Sequence, residues 1–200
     1  MSGAVLDAAF YDRPVLEVAR DLVGCELVHG ETAGRIVETE AYHHTEAACH
    51  AYVGLTARTS TLFAAPGTAY VYRSYGIHAL INAVCEGEDV GAAVLVRALD
   101  PTAGVELMRA RRGPVHERDL CNGPGKLTQA LGIELTENAT SLVDGPVRIR
   151  AREPGVVPEL VTGTRIGITK AVELPWRFCL RGSRRVSRPY PPGLLHHGTG

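Results

Sequence analysis

The sequence predicts an α+β fold: a single compact domain with an antiparallel or mixed sheet and flanking helices. Two observations lead there. Short segments rich in β-branched and aromatic residues come in hairpin pairs, and the helical segments are segregated from them. No internal repeat or linker divides the 200 residues, and 45% of them are hydrophobic, enough for a packed core.

Pro14 to Val23 has amphipathic spacing, with Pro at the start and Gly24 just past the end, and predicts a helix. Cys25–Val28 and Gly34–Ala41 read as strands around a polar turn at Gly30-Glu31-Thr32. Tyr42–Thr56 reads as a loop, and Ser60–Ala64 as a short helix closed by Pro66-Gly67. Ala69–Arg73 and Ile77–Val84 predict a hairpin around Ser74-Tyr75-Gly76. Ala92–Leu99 is an apolar strand; Asp100-Pro101 is expected to cap and open a helix to about Arg111. Gly123-Pro124-Gly125-Lys126 leads into a short helix ending at Gly132. Strands are expected at Val147–Arg150, Arg165–Ile168 and Phe178–Arg181. One domain therefore spans residues 1–187, and residues 188–200, rich in Pro, Gly and His, are expected to be a flexible tail.

The formal net charge of −1 and pI near 6.7 do not mark a nucleic-acid binder. The charge is uneven, however. Arg109, Arg111, Arg112, Arg118 and Lys126 form one cluster, and Arg177, Arg181, Arg184, Arg185 and Arg188 another; either could be a phosphate-binding face or simply solvated surface. The five cysteines are scattered without a Cys-x-x-Cys pair, which fits a reducing cytoplasm. No apolar run spans a bilayer and no signal peptide is read, so no membrane association is expected.

The chemistry concentrates in Arg35-Ile36-Val37-Glu38-Thr39-Glu40-Ala41-Tyr42. Strand alternation places Ile36, Glu38, Glu40 and Tyr42 on one face. Two carboxylates in an apolar strand are costly when buried, a cost most readily carried where chemistry is done. Arg97 is the single charge in Ala92–Leu99 and needs an acidic partner, Glu40 being the simplest. A carboxylate kept ionised by a cation and bound to water is a general base; a structural ion pair fits equally well. Tyr75 at a hairpin tip is either a wedge between base pairs or a ring folded back on the core.

These segments, together with Ala47-Ala48-Cys49-His50, Pro66 to His78, Asn82, Val94 to Pro101, Leu120 to Leu127 and Arg181-Gly182-Ser183, resemble the alkyladenine DNA glycosylase family of 3-methyladenine glycosylases. The resemblance runs in order from about Leu16 to Ser187. It implies a monofunctional, cofactor-free, metal-free monomer of the cytoplasm or bacterial nucleoid. Its partner would be double-stranded DNA containing damaged purines, and a protruding hairpin would enter the DNA. Carried over residue by residue, Glu40 activates water and Arg97 holds it. Tyr42, Tyr72 and His50 enclose the flipped base, Asn82 lies against it, and Ala48 adds backbone contacts. Tyr75 fills the gap in the duplex, with Gly76, Ile77, Arg58 and Lys126 also at the DNA. The sequence departs from the family's pattern at His43-His44-Thr45, at Leu55 to Ser60 and at Ile77. These departures bear on substrate range more than on reaction type. Rival readings are a metal-dependent hydrolase using Glu40, His43, His44 and His50, a sugar glycosidase using Glu38 with Glu40, and a non-catalytic nucleic-acid-binding module.

Overall fold

The computed structural model describes residues 3–74 and 76–195. Its elements are α1 (Ala8–Tyr11), α2 (Val15–Leu22), β1 (Glu26–His29), β2 (Thr32–His43), β3 (Ala69–Ser74), β4 (His78–Val84), β5 (Ala92–Ala103), α3 (Val105–Arg112), α4 (Pro124–Leu131), β6 (Val147–Arg150), β7 (Leu160–Gly163) and β8 (Arg177–Leu180). This is the α+β architecture that the sequence predicts. The sheet runs β3-β4-β5-β2-β1-β6, with β8 paired to both β2 and β7, and every pairing is antiparallel. No helix among the described residues is long and apolar enough to cross a membrane.

Helix α2 buries Val15, Val18, Ala19 and Leu22, the i, i+3, i+4, i+7 spacing of one apolar stripe. Val15, Val18 and Leu22 each contribute about 1.5–3 kcal/mol when fully buried, and the Ala19 methyl about 0.8 kcal/mol. Helix α4 packs on β4, where the Thr128 hydroxyl donates to the Ala79 carbonyl at 2.7 Å, and it stops at Gly132 with φ of +71°.

Strand β2 is the spine that places the site. One edge pairs with β5 along most of its length; the other pairs first with β1 (Thr32 to Arg35) and then with β8 (Glu38 to Glu40). The change of partner coincides with register shifts around Ile36, Glu38 and Thr39. Here simple alternation fails. Ile36 lies in the main core, whereas Val37 packs with Ala98, Cys179 and Val186 on the opposite side, and Glu38 joins it there. Ile36 therefore does not share a face with Glu38, because a bulge adds a residue and re-aims the side chains beyond it. Past the bulge alternation resumes. The Thr39 hydroxyl bonds Ala19 of α2 at 2.7 Å and Ala41 enters the core, leaving Glu40 and Tyr42 on the other face. Strand β5 has the complementary irregularity. Val94, Val96 and Leu99 fill the core, while Arg97 and Ala98 both turn away from it.

Three other expectations change. Asp100-Pro101 does not open a helix but extends β5, with Arg35↔Asp100 and Gly34↔Pro101 in register. Asp100 is held by Arg35 at 2.9 Å and Arg185 at 2.7 Å instead of capping. Helix α3 starts after Gly104, whose φ is +68° and where a Cβ would lie 2.5 Å from the Glu31 carbonyl oxygen. Arg165–Ile168 is not a strand, since Gly167 takes φ of +77° and the Ile166 N–H is used by a side chain. The segment expected to be a flexible tail is packed as far as Leu194, which is 1% exposed against Val37, Ala98 and Val186.

Candidate active site

Glu40 is wholly buried, and both of its oxygens have donors. Oε2 accepts from the Tyr42 hydroxyl at 2.8 Å and from Arg97 Nη1 at 3.1 Å; Oε1 accepts from the Ile166 N–H at 2.8 Å. Burial raises its pKa above the ordinary carboxylate value, against the opposing pull of Arg97, the Ile166 N–H and Tyr42. Burial, and then the Glu40 charge, also push up the Tyr42 phenol, so that Tyr42 remains a hydroxyl donor. For Arg97, burial disfavours the charge, but Glu40 and Glu38 outweigh it and raise the guanidinium's pKa.

Glu38 accepts four hydrogen bonds. Oε1 takes them from Arg177 Nε (2.6 Å), the Ser187 hydroxyl (2.7 Å) and Arg97 Nε (3.2 Å), and Oε2 from the Ser187 N–H (2.7 Å). Arg177 ties this cluster to the carbonyls of Ser187 and Pro189. Two carboxylates and two guanidiniums thus share one buried patch, the arrangement that makes buried charge tolerable. With four donors on about four acceptor positions, Glu38 has none left for a water or a substrate, whereas Glu40 with three donors keeps one, which argues against Glu38 as the second carboxylate of a sugar-cleaving pair.

Beside this network opens a cavity of about 560 Å³, lined by Tyr42, His50, Tyr72, Asn82, Arg97 and Ile166 among others. Tyr70 and Tyr72 stack at 5.2 Å, and His50 meets Tyr72 edge-on at 4.7 Å while its Nδ1 bonds the Tyr70 hydroxyl at 3.0 Å. Burial, followed by the charge of Arg58, lowers the His50 pKa and keeps the ring neutral. Asn82 is held by the Tyr70 carbonyl at 3.1 Å. Ala48 also lines the cavity, but its N–H is already bonded to Glu46 Oε2 at 2.8 Å, leaving only its carbonyl for a ligand.

Arg97, Tyr42, Ala48, His50, Tyr72, Asn82 and Arg58 line this cavity together, and Glu40 lies behind Tyr42 and Arg97, bonded to both. Lys126 does not line the cavity; it lies exposed on α4, bonded to Asn122 at 2.7 Å. Tyr75 lies outside the described residues. Its neighbours Gly76 and Ile77 are exposed at the hairpin tip, Ile77 at 73%. Glu40, His43, His44 and His50 do not converge as metal ligands. His43 faces Thr45 and Glu86, and no group of three or more candidate ligands occurs among the described residues.

The arginine clusters are largely cross-links rather than a free basic face. Arg177 is buried on Glu38, Arg112 binds Gln129 and the Leu120 carbonyl, and Arg185 bridges Asp100 and Glu117. Around the cavity the exposed cations are Arg58, Arg73 and Lys170, the last two not foreseen from sequence. Sequence reasoning also missed Ser187, Glu46 and Arg165. Arg165 grips Glu46 at 2.7 and 2.9 Å and lies 4.7 Å from the centre of the Tyr42 ring. None of the three stands out from its sequence neighbours, and no local pattern names its partner.

Comparison with known proteins accords with this geometry. Residues 9–184 match the family described as methylpurine-DNA glycosylase (MPG). A protein of Bradyrhizobium diazoefficiens named "Putative 3-methyladenine DNA glycosylase" is 53% identical over 189 residues, covering 94% of each chain. Proteins of the same name from Methanoculleus marisnigri and Rhodopseudomonas palustris (strain HaA2) are each 55% identical, covering 92% and 94% of this chain and 98% and 92% of their own.

Proposed function

The chain belongs to the methylpurine-DNA glycosylase family, and we propose that it hydrolyses the N-glycosidic bond of damaged purines in duplex DNA, using water activated by Glu40. The observation that carries this reading is a buried carboxylate clamped by Arg97, Tyr42 and the Ile166 N–H against the wall of an aromatic cavity. A carboxylate offers about four acceptor positions. Three on Glu40 are filled, leaving one for the water it deprotonates.

A base inside a duplex is out of reach, so the damaged nucleotide is extruded at a cost of a few kcal/mol. Tyr42, Tyr72 and His50 then enclose the base, and stacking returns about 1–3 kcal/mol. Neutral His50 offers its edge as a hydrogen-bond partner, and Asn82 screens the base opposite. Tyr75 and Ile77 fill the space vacated in the duplex, as an apolar wedge between base steps does. Arg58, Arg73 and Lys170 around the cavity suit the flanking phosphates. Departure of the base leaves cationic character on the sugar; ionised Glu40 stabilises that charge and takes the water's proton. An alkylated base leaves readily without an acid, so one working carboxylate suffices. The product is an abasic site, left uncut. The enzyme acts as a cytoplasmic monomer without a metal.

Glu40→Gln tests the assignment. Release of free base from a duplex carrying a single 7-methylguanine should fall about 10²–10⁴-fold, with duplex affinity retained. Full release by this variant would refute the mechanism.

A further inference from the structure

Arg165 neither lines the cavity nor hydrogen-bonds Glu40, yet it is bound to Glu46, to the Ala41 carbonyl and to the Tyr42 ring, which lie around both. Its guanidinium forms a two-pronged ion pair with Glu46, Nη1 to Oε1 at 2.7 Å and Nη2 to Oε2 at 2.9 Å. Glu46 Oε2 also accepts the Ala48 N–H at 2.8 Å, at the base of the loop that carries Ala47 to His50 into the cavity wall. Nη1 donates to the Ala41 carbonyl at 2.9 Å, between Glu40 and Tyr42 on β2. The guanidinium covers one face of the Tyr42 ring at 4.7 Å, with Trp176 at 5.3 Å on it as well. The next residue in the chain is Ile166, whose N–H is bonded to Glu40.

We propose that Arg165, locked by Glu46, is the positioning residue that couples the base pocket to the general base, setting the Tyr42 ring and the Ile166 N–H together. This rests on the Glu40 reading above. A planar, fixed fork suits the task, because it fills two acceptors and an aromatic face at once; a lysine offers a single flexible point charge. Glu40 is faced by Arg97 from β5, by Tyr42 and Glu38 from β2, by Tyr72 from β3, by Cys179 from β8, and by the Ile166 N–H and the charge of Arg165 itself, which Arg165→Lys keeps, from the segment between β7 and β8. Arg165 controls Tyr42 and Ile166 directly and leaves Arg97 and Glu38 untouched. Loosening it removes donors to ionised Glu40 and misplaces the pocket wall without removing either catalytic group.

The test compares Arg165→Lys and Glu46→Gln with the wild-type chain in single-turnover release of 7-methylguanine across pH, with duplex affinity measured alongside. The expected result is a rate about 10–100-fold lower, affinity within about threefold, and an acid limb of the pH profile displaced to higher pH. The displacement comes from the loss of hydrogen bonding to the ionised form. A rate loss with an unmoved acid limb would mean a merely structural role and overturn the proposal, as would wild-type behaviour of both variants. Glu46→Gln keeps Arg165 and the side-chain shape, so it carries the test if Arg165→Lys does not fold. Glu40→Gln assayed in parallel separates the two claims. If it retains release, the general-base reading itself fails; if it is dead while both clamp variants are normal, only the clamp is wrong.

Discussion

Replacing Arg97 with methionine removes the cation shared by Glu38 and Glu40 while roughly keeping the volume of its stem. Glu38 retains Arg177 and both Ser187 donors, but Glu40 is left with Tyr42 and the Ile166 N–H, neither of them charged. Breaking a buried ion pair from one side costs about 3–5 kcal/mol, roughly 6–20 °C in Tm for a chain of this size. The cost should depend on pH, with a sign fixed by Glu40. Its folded-state pKa is already raised by burial, so its contribution to stability is fully present below the unfolded carboxylate value. That contribution is lost as pH rises through the folded value. Removing Arg97 raises the folded value further. The variant should therefore approach wild-type stability in acid, where Glu40 is protonated in both, and fall behind as pH rises toward neutrality and above. In the proposed mechanism base release needs ionised Glu40, so its acid limb should move upward and part of the lost rate should return in alkali. Thermal unfolding at about one-unit steps of pH, paired with single-turnover release over the same range, measures both. An equal stability loss at every pH, with an unshifted acid limb, would refute the idea that Arg97 sets the charge of Glu40.

The two carboxylates of β2 should separate in kind. Glu38→Gln presents an amide to donors already in place, so it should lose stability by about 3–5 kcal/mol in chemical denaturation. It should nonetheless release base faster than Glu40→Gln; equal inactivity of two folded variants would restore the sugar-glycosidase rival. Ile77→Ser alters a side chain that is 73% exposed, so Tm should stay within about 1–2 °C while base release from duplex weakens. An unchanged release rate would remove Ile77 from the DNA interface. The five buried thiols should resist an aromatic disulfide reagent at neutral pH until the chain unfolds. Burial pushes Cys49 up to about 11 and Cys121 and Cys179 up to about 12, and raises Cys25 and Cys85 also. Rapid labelling of the native protein would show that these sites open.

Local signals carried much of the fold. Pro14 and Gly24 bracket α2 within a residue, Gly132 ends α4, and the two strands read at Ala69–Arg73 and Ile77–Val84 pair as β3 and β4. They failed where tertiary partners competed. Asp100 and Pro101 have the chemistry of a helix start, yet two arginines and the β2 edge hold them in a strand until Gly104 allows the turn. Ser187 closes a cluster with Glu38 and Arg97, residues 149 and 90 positions earlier, and no local pattern announces such a contact. The tail's composition hid its packing for the same reason, since Leu194 is buried by strands far from it in sequence.

By itself the sequence singled out the groups proposed to do the chemistry: a glutamate and tyrosine two apart on a strand, an arginine isolated in another, and aromatics on a hairpin. Strand periodicity and the cost of buried charge are local rules, and they suffice to single these residues out. Only the tertiary structure decided how each is used. The bulge at Val37 sends Ile36 to the core while Glu38 keeps the side of Glu40, the bulge at Arg97 turns its guanidinium to that side too, and Ser187 and Arg177 then close around Glu38 as a support. Arg165 meanwhile secures the wall around Glu40. Such roles rest on long-range contacts whose energy depends on which charges end up buried together, and the chain fixes that only when it folds.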